Sequence, residues 1–300
     1  MVISSEFTPN LSIFDYNPLI MKNASFILLT MFVWCCTKVE PNTNSNPQSV
    51  KQSLIKSISS ISFSVPPQQH VEVRDSAVAI GLYENGDHTI SLSANNTYFL
   101  RIYNSTNAII DSIILVTDYD GNIYSAAQFG EQIWMTENFR ATHLNDGTPL
   151  KGINHPASFE YIHYFSNYHP DSVGYLTYAD CPTRIRINLN WVDVDTIGFG
   201  LLFNWASVNS GKLAPSGWKV PSSDDFIYLS EHYDVAAFNS LGSGGYDVGS
   251  GTQFSFLNTD AIYWMNNKYY IFVLYGGGSI PLYFEPEVFG EGCSVRCVKN

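Results

Sequence analysis

The strongest constraint on this chain is a series of short β-branched and aromatic runs between Ile61 and Thr117, each closed by turn residues. The runs are Ile61–Val65, His70–Arg74, Ala77–Tyr83, His88–Ser93, Tyr98–Tyr103 and Ile109–Thr117. None is long enough to form a stable helix alone, whereas each is the length of a strand. Glu84-Asn85-Gly86-Asp87 carries the Asn-Gly signature of a tight hairpin. Strands at this spacing predict a small β-sandwich-like domain over 61–117. It contains no acid/base pair and no metal-spaced cluster, so its expected role is that of a spacer.

Composition extends the β-rich reading to the rest of the chain. Charged residues are 14 % of the 300 positions and aromatics 15 %, against about 25 % charged in an average globular protein. That mixture is too apolar for disorder and too poor in helix formers for a bundle. An α+β, β-rich fold is expected. The formal charge of −12 makes phosphate backbones and anionic lipid headgroups poor partners, so no nucleic-acid role is expected.

The N-terminal region reads as an export signal. Met21 is a better start than Met1: Lys22 supplies a positive n-region, and Ala24–Val33 is an apolar h-region too short to span a bilayer. Residues 1–20, with Glu6 and Asp15 and no Lys or Arg, read as sequence upstream of the true chain. The run ends Val33-Trp34-Cys35-Cys36, which resembles a bacterial lipoprotein cleavage site, with 21–35 the signal peptide and Cys36 the lipidated residue. A plain signal peptide with incidental cysteines is the alternative. Residues 36–60 are read as a tether; within it 37–48 is rich in Pro, Asn and Ser, and 49–60 is either a short helix or more tether. The expected location is the cell envelope, as an outer-membrane lipoprotein facing the periplasm or the surface. Membrane contact is then through the lipid anchor alone.

Three further cysteines remain. Cys293 and Cys297 flank Ser-Val-Arg in an apparent strand, which sets their Cα atoms roughly 13 Å apart at about 3.3 Å per residue, beyond the ~7 Å reach of a disulfide. Any bridge must therefore use Cys181; the pairing carried forward is Cys181 with Cys297, leaving one thiol free. The C-x3-C spacing lacks the second pair a zinc site needs.

From Asp118 onward other signals take over. Asp118-Tyr-Asp120-Gly121-Asn122 begins like a calcium loop, but Ile123 and Phe129 stand where that loop needs Gly and Glu. A hairpin turn with Gly121 at positive φ is favoured, and no cofactor is expected, calcium lacking a complete motif. Pro215-Ser-Gly217 reads as a turn and Trp218–Val220 as a strand. Ser222 reads as a helix N-cap with Asp225 at the third helical position. His155, His163 and His169 sit in a Tyr-rich stretch without an acidic or Cys partner at ligand spacing, and are read as loop residues rather than a metal site.

Asp118–Tyr124, Gln132-Ile-Trp-Met-Thr-Glu-Asn-Phe-Arg140 and Asn145-Asp-Gly-Thr-Pro149 resemble the opening of the Fibrobacter succinogenes major paralogous domain. Gly200–Ala206, Pro215–Pro221 and Ser294–Val298 are similar to its middle and end, so the resemblance covers 118–300. It implies an exported lipoprotein domain without established catalysis and, more loosely, a C-type-lectin-like or sulfatase-modifying architecture. Ala214 stands where the family commonly has a Cys, so a terminal cysteine that pairs there would leave Cys297 without its partner. Asp225 and Phe226 replace the family's Glu-Trp.

Enzyme signatures are missing. The chain has no G-x-S-x-G, no Walker A and no H-E-x-x-H, and its G-x-G runs lack dinucleotide context. Glu137 is a candidate glycosidase carboxylate, weighed against a carboxylate that pins backbone or Arg140. Cys293 and Cys297 lie inside the last strand, not ahead of it as an oxidase pair would. A binding module is preferred. Residues 239–284 are rich in Gly, Ser, Asn and aromatics, which suit glycan or protein ligands. Tyr246, Tyr263, Trp264, Asn266 and Tyr270 are the expected ligand-binding residues, the alternative being that such aromatics are core. The function expected is a non-catalytic, adhesin-like envelope lipoprotein binding a glycan or a protein at the cell surface. A structural or assembly subunit, and a polysaccharide- or protein-modifying enzyme, are the alternatives.

Overall fold

A computed structural model describes residues 49–75, 78–153, 173–178, 184–187, 190–232, 238, 240–247, 253–267, 269–274, 284–286 and 292–300. The export signal, Cys36, the tether up to Gln48, Cys181 and the three loop histidines lie outside these residues.

The described residues begin inside the segment read as tether. Ser49 caps a short helix, α1 (Val50–Ser53), through a reciprocal capping box with Gln52, and Val50 is buried. β1 (Ile55–Ser57), β2 (Ser60–Val65) and β5 (Gly86–Ser91) form an antiparallel three-stranded sheet. β2 alternates half-buried and buried along its whole length, which aims Ile61, Phe63 and Val65 inward.

Facing it is one end of an eight-stranded antiparallel sheet. That end contains β3 (Gln69–Asp75), β4 (Val78–Tyr83), β6 (Thr97–Asn104) and β7 (Ile109–Thr117). Val71, Val73, Leu100, Ile102, Ile113 and Leu115 close the core against β2. The expected sandwich therefore forms, with two differences. The Asn85-Gly86 segment is no hairpin: β4 pairs with β3 and β5 with β2, so the chain turns a corner between two sheets there. Position 117 is no domain boundary either, because β7 pairs directly with β8 (Ile123–Phe129) and β8 with β9 (Gln132–Met135).

The sheet runs β15-β21-β9-β8-β7-β6-β3-β4, with β15 (Trp218–Lys219) and β21 (Val298–Lys299) at its far end. The turn between β7 and β8 is the expected one. Gly121 has φ +79°, and Asp118 accepts from the Asn122 amide at 2.9 Å and the Tyr124 hydroxyl at 2.6 Å. Its oxygens serve the turn, where a calcium reading would have them ligate.

Smaller sheets cover this platform. β10 (Lys151–Ile153), β11 (Gly174–Leu176) and β14 (Leu202–Phe203) form one, and β12 (Arg184–Ile187) with β13 (Asn190–Asp193) another. β16 (Ser243–Asp247), β17 (Gln253–Leu257), β18 (Asp260–Trp264), β19 (Tyr269–Leu274) and β20 (Phe284–Pro286) form a third. Among the described residues two helices accompany them: α2 (Trp205–Asn209), capped by Asn204, and α3 (Ser223–Glu231). Ser222 caps α3 and Asp225 completes its capping box, as the sequence predicts. Among the described residues, no helix is long and apolar enough to cross a membrane.

The C-terminal segment is the seam. Gly292 bridges β16, Cys293 bridges β14 and Ser294 bridges β18. Val295 and Cys297 then accept from the amides of Phe139 and Met135, and Val298 pairs with Trp134. The ending read as one strand is thus extended, but pairs with a different partner every one or two residues.

Candidate functional site

The seam and two loops frame a cleft of about 570 Å³. One wall is the segment 136–142, which leaves β9; the other is 196–201, which enters β14. Gly200 has φ +75°, and a Cβ there would stand 2.6 Å from the Phe139 carbonyl oxygen. Only glycine lets the two loops meet so closely. The contact is locked by the Leu201 amide donating to Phe139 O at 3.0 Å and by Asn138 Nδ2 donating to Phe199 O at 3.0 Å.

Asn138 is the hub of the floor. Its Oδ1 accepts from Arg296 Nε at 2.8 Å and from the Tyr263 hydroxyl at 3.0 Å. Its Nδ2 also faces the hydroxyls of Ser243 and Ser294. Arg296 is 1 % exposed; it donates to Phe238 O and lies 4.5 Å from the Phe238 ring centre and 5.4 Å from that of Tyr263. The Phe238 carbonyl, the Asn138 amide oxygen and the two ring faces surround the buried guanidinium with acceptors and π density that favour its charge.

Glu137 and Arg140 stand on the rim, 30 % and 36 % exposed. Glu137 accepts from the Ser125 amide at 2.8 Å, from Lys56, and from Arg140 Nη1 at 3.3 Å. Burial alone would raise the Glu137 carboxyl; the Lys56 ammonium and the hydrogen bonds from Lys56 and Ser125 outweigh it and hold the group below its ordinary range. Arg140 donates to Ile123 O at 2.9 Å and rests over the Tyr124 ring at 4.4 Å. The reading of Glu137 as a carboxylate pinning backbone and Arg140 therefore describes what it does. Its third partner, Lys56, was hidden in the segment read as tether.

Thr142, Tyr175 and Thr196 complete the rim. Thr142 donates to Asp120, which also accepts from His143 at 2.6 Å. Burial, with a smaller push from Asp120, raises the Tyr175 phenol, so it stays a neutral donor. Among the described residues, no three His, Cys, Asp or Glu side chains converge as metal ligands would.

The residues expected to bind ligand are placed differently. Tyr263 and Trp264 are fully buried and Tyr246 is 2 % exposed, so all three are core and cannot stack on an external ligand. Trp264 Nε1 donates to Phe203 O at 2.6 Å, and its ring packs on Trp205. The physical reason is topological: β18 lies inside its sheet, between β16 and β19, with the seam crossing it. Asn266 is exposed but follows β18 beside Pro221, whose carbonyl its amide meets at 2.8 Å. The Tyr270 side chain lies outside the described structure. Cys297 is a free, fully buried thiol whose pKa burial drives far up, which corrects the Cys181–Cys297 pairing.

The sequence reading passed over Tyr175, and weighed Glu137 as a glycosidase carboxylate or as a pin for backbone and Arg140. The available signal was the Glu137-Asn-Phe-Arg140 run, which puts Glu137 and Arg140 on the rim, Asn138 in the floor and Phe139 in the core. Residues 128–237 match the family model described as the Fibrobacter succinogenes major domain. The match is narrower than the 118–300 resemblance, and leaves Asp118–Tyr124 and the C-terminal seam outside it. No curated protein and no solved structure matches the chain.

Proposed function

We propose, for a chain whose residues 128–237 belong to the Fibrobacter succinogenes major domain family, an exported lipid-anchored envelope protein that binds a ligand without transforming it. The site is the cleft between 136–142 and 196–201, in place of the aromatic residues of 239–284. One observation carries this reading: a cleft of about 570 Å³, the size of ordinary ligand pockets, floored by a buried Asn138–Arg296 pair and rimmed by polar side chains. A non-catalytic role is supported by Glu137. A carboxylate held below its ordinary pKa by Lys56 makes a poor general acid at neutral pH. The C-type-lectin-like reading of this half finds support in β21 lying between β9 and β15, which sets its last strand beside its second.

Anchoring at Cys36 rests on the n-region, the h-region and the Cys pair. Labelling with a fatty-acid probe should be lost on Cys36→Ser; retained labelling would reject the anchor. For the ligand, the protein is screened on a glycan and matrix-protein array with and without calcium. A hit weakened by Arg140→Gln in a variant that melts cooperatively supports the cleft. A hit indifferent to every cleft substitution refutes it.

The assembly alternative also has an observation behind it. β4 ends the large sheet, carries no charge over Val78–Tyr83, and exposes Val78, Ile80 and Leu82 by 69, 51 and 60 %. Apolar edges of this kind invite strand pairing with another chain. Self-association in sedimentation, abolished by Ile80→Lys, would favour that reading.

A further inference from the structure

Resting on the cleft as the binding site, we infer that its ligand is an uncharged saccharide, gripped at neighbouring hydroxyls by Glu137 and Arg140 without a metal ion. The first reason is charge balance. The cleft is lined by one carboxylate, Glu137, and two guanidiniums, Arg140 and Arg296. Directly behind the lining stand Lys56 on Glu137 and Asp120 on Thr142. At the rim Arg140 and Glu137 thus balance each other, and one layer behind them so do Lys56 and Asp120. An anionic ligand would gain from Arg140 what it loses to Glu137 and Asp120, and a cationic one the reverse.

The second reason is the unspent hydrogen-bonding capacity at one point of the rim. A guanidinium has five N–H donors. Arg140 spends one on Glu137 and one on Ile123 O, which leaves donors on a side chain that is 36 % exposed. Glu137 receives Lys56 and the Ser125 amide on Oε1, while Oε2 meets Arg140 at the long distance of 3.3 Å. A charged donor and a charged acceptor therefore lie side by side at the cleft mouth. Each sugar hydroxyl both donates and accepts, so two adjacent hydroxyls satisfy this pair together, whereas a carboxylate or an ammonium satisfies only one half.

The third reason is the rest of the rim. Tyr175 offers a neutral phenol and a ring face, and Thr142 and Thr196 offer hydroxyls. Leu201 and Leu241 are the only aliphatic side chains larger than threonine among the described lining residues. A peptide ligand needs a deep apolar pocket for an anchoring side chain, and this lining does not build one. Gly198 and Gly200 keep the opposite wall low, with φ +81° and +75°.

The test is calorimetric titration of the protein with neutral gluco-, manno-, galacto- and xylo-oligosaccharides, with oligouronates, and with the same neutral set in chelator. One neutral series should bind, unchanged by chelator. Glu137→Gln should weaken it about ten-fold, the cost of one charge-assisted hydrogen bond, and Tyr175→Ala should weaken it as well. Lys56→Met breaks the same ion pair from outside the cleft. It should lower the melting temperature as Glu137→Gln does and leave affinity within about two-fold, separating loss of contact from loss of fold. Preference for oligouronates, binding abolished by chelator, or no saccharide binding by protein with an intact melting transition overturns the inference. If a peptide or protein ligand then binds and is lost on Arg140→Gln, the cleft stands and only the saccharide falls. If a saccharide binds and all cleft variants are indifferent, the cleft itself falls.

Discussion

Asn138 shows how one side chain can carry both a fold and a site. It accepts from Arg296 and Tyr263 and donates to Phe199 O, all below the surface. Asn138→Ala leaves those donors without their acceptor and should cost about 3 kcal/mol in urea unfolding; a loss under 1 kcal/mol would show that the floor can rearrange. Trp264→Ala should cost about 3–5 kcal/mol, as a fully buried indole predicts; it also removes one donor from Phe203 O, which keeps the Cys293 amide. Glu137 gives a pH signature. Its folded pKa lies below the ordinary glutamate value, so its stabilisation is complete above that value and is lost as pH falls through the folded one. Glu137→Gln should therefore melt lower than wild type near neutrality, by on the order of 1 kcal/mol after allowing for the partly exposed pair, and the gap should close toward pH 3. A gap independent of pH would mean that packing, not charge, is what the substitution removes. Asp225 acts in the same direction, its burial outweighed by Lys219 and the cap, whereas Asp118 acts in the opposite one because burial raises it.

At the scale of elements, local signals and long-range pairing divide cleanly. α3 begins at its capping box because Ser222 and Asp225 satisfy each other's backbone amides three residues apart, an entirely local event. Ser222→Ala should cost about 1 kcal/mol, read as a lower midpoint in thermal unfolding with unchanged binding. β4 behaves otherwise. Its run of apolar residues reads as a strand in the sequence, and the strand ends its sheet with Val78, Ile80 and Leu82 exposed. Which face of a strand is buried depends on what lies above it, and the sheet of β1, β2 and β5 packs on β3, β6 and β7 instead. Asn85-Gly86 illustrates the same division. Gly86 takes a positive φ of +127° but Asn85 does not, so the tight turn the dipeptide favours is not made and the chain passes from one sheet to the other.

The whole molecule is tied together across the boundary expected at 117. β7 and β8 are neighbours, Trp218 Nε1 donates to Thr97 Oγ1 at 2.9 Å, and Lys56 reaches Glu137. A fragment spanning 118–300 loses β7 from the edge of β8 and both long-range side-chain ties. It should show no cooperative melting transition by circular dichroism, whereas the full chain should show one for residues 49–300. A fragment that melts cooperatively near the full chain's temperature would restore the two-domain reading. Cys297 offers a further probe of the seam: a thiol reagent should modify it only under denaturing conditions, since it is fully buried and its ionisation strongly opposed.

Read alone, the sequence determined which segments between 61 and 117 are strands, the Asp118–Asn122 turn, the N-terminal capping box of α3 and the family resemblance of the central segment. Ile109–Thr117 was bounded to the residue, because β-branching, turn chemistry and capping act within a few residues of the chain. It did not determine which strand lies beside which, which aromatics are inside, or where the cleft is. Tyr263 and Trp264 have the composition of a binding surface and the surroundings of a core. Only the C-terminal seam, tying β9, β14, β16 and β18 from the far end of the chain, buries them and leaves Glu137, Arg140 and Tyr175 at the surface. Burial is a property of non-local packing, and a residue's type sets only what burial costs or gains.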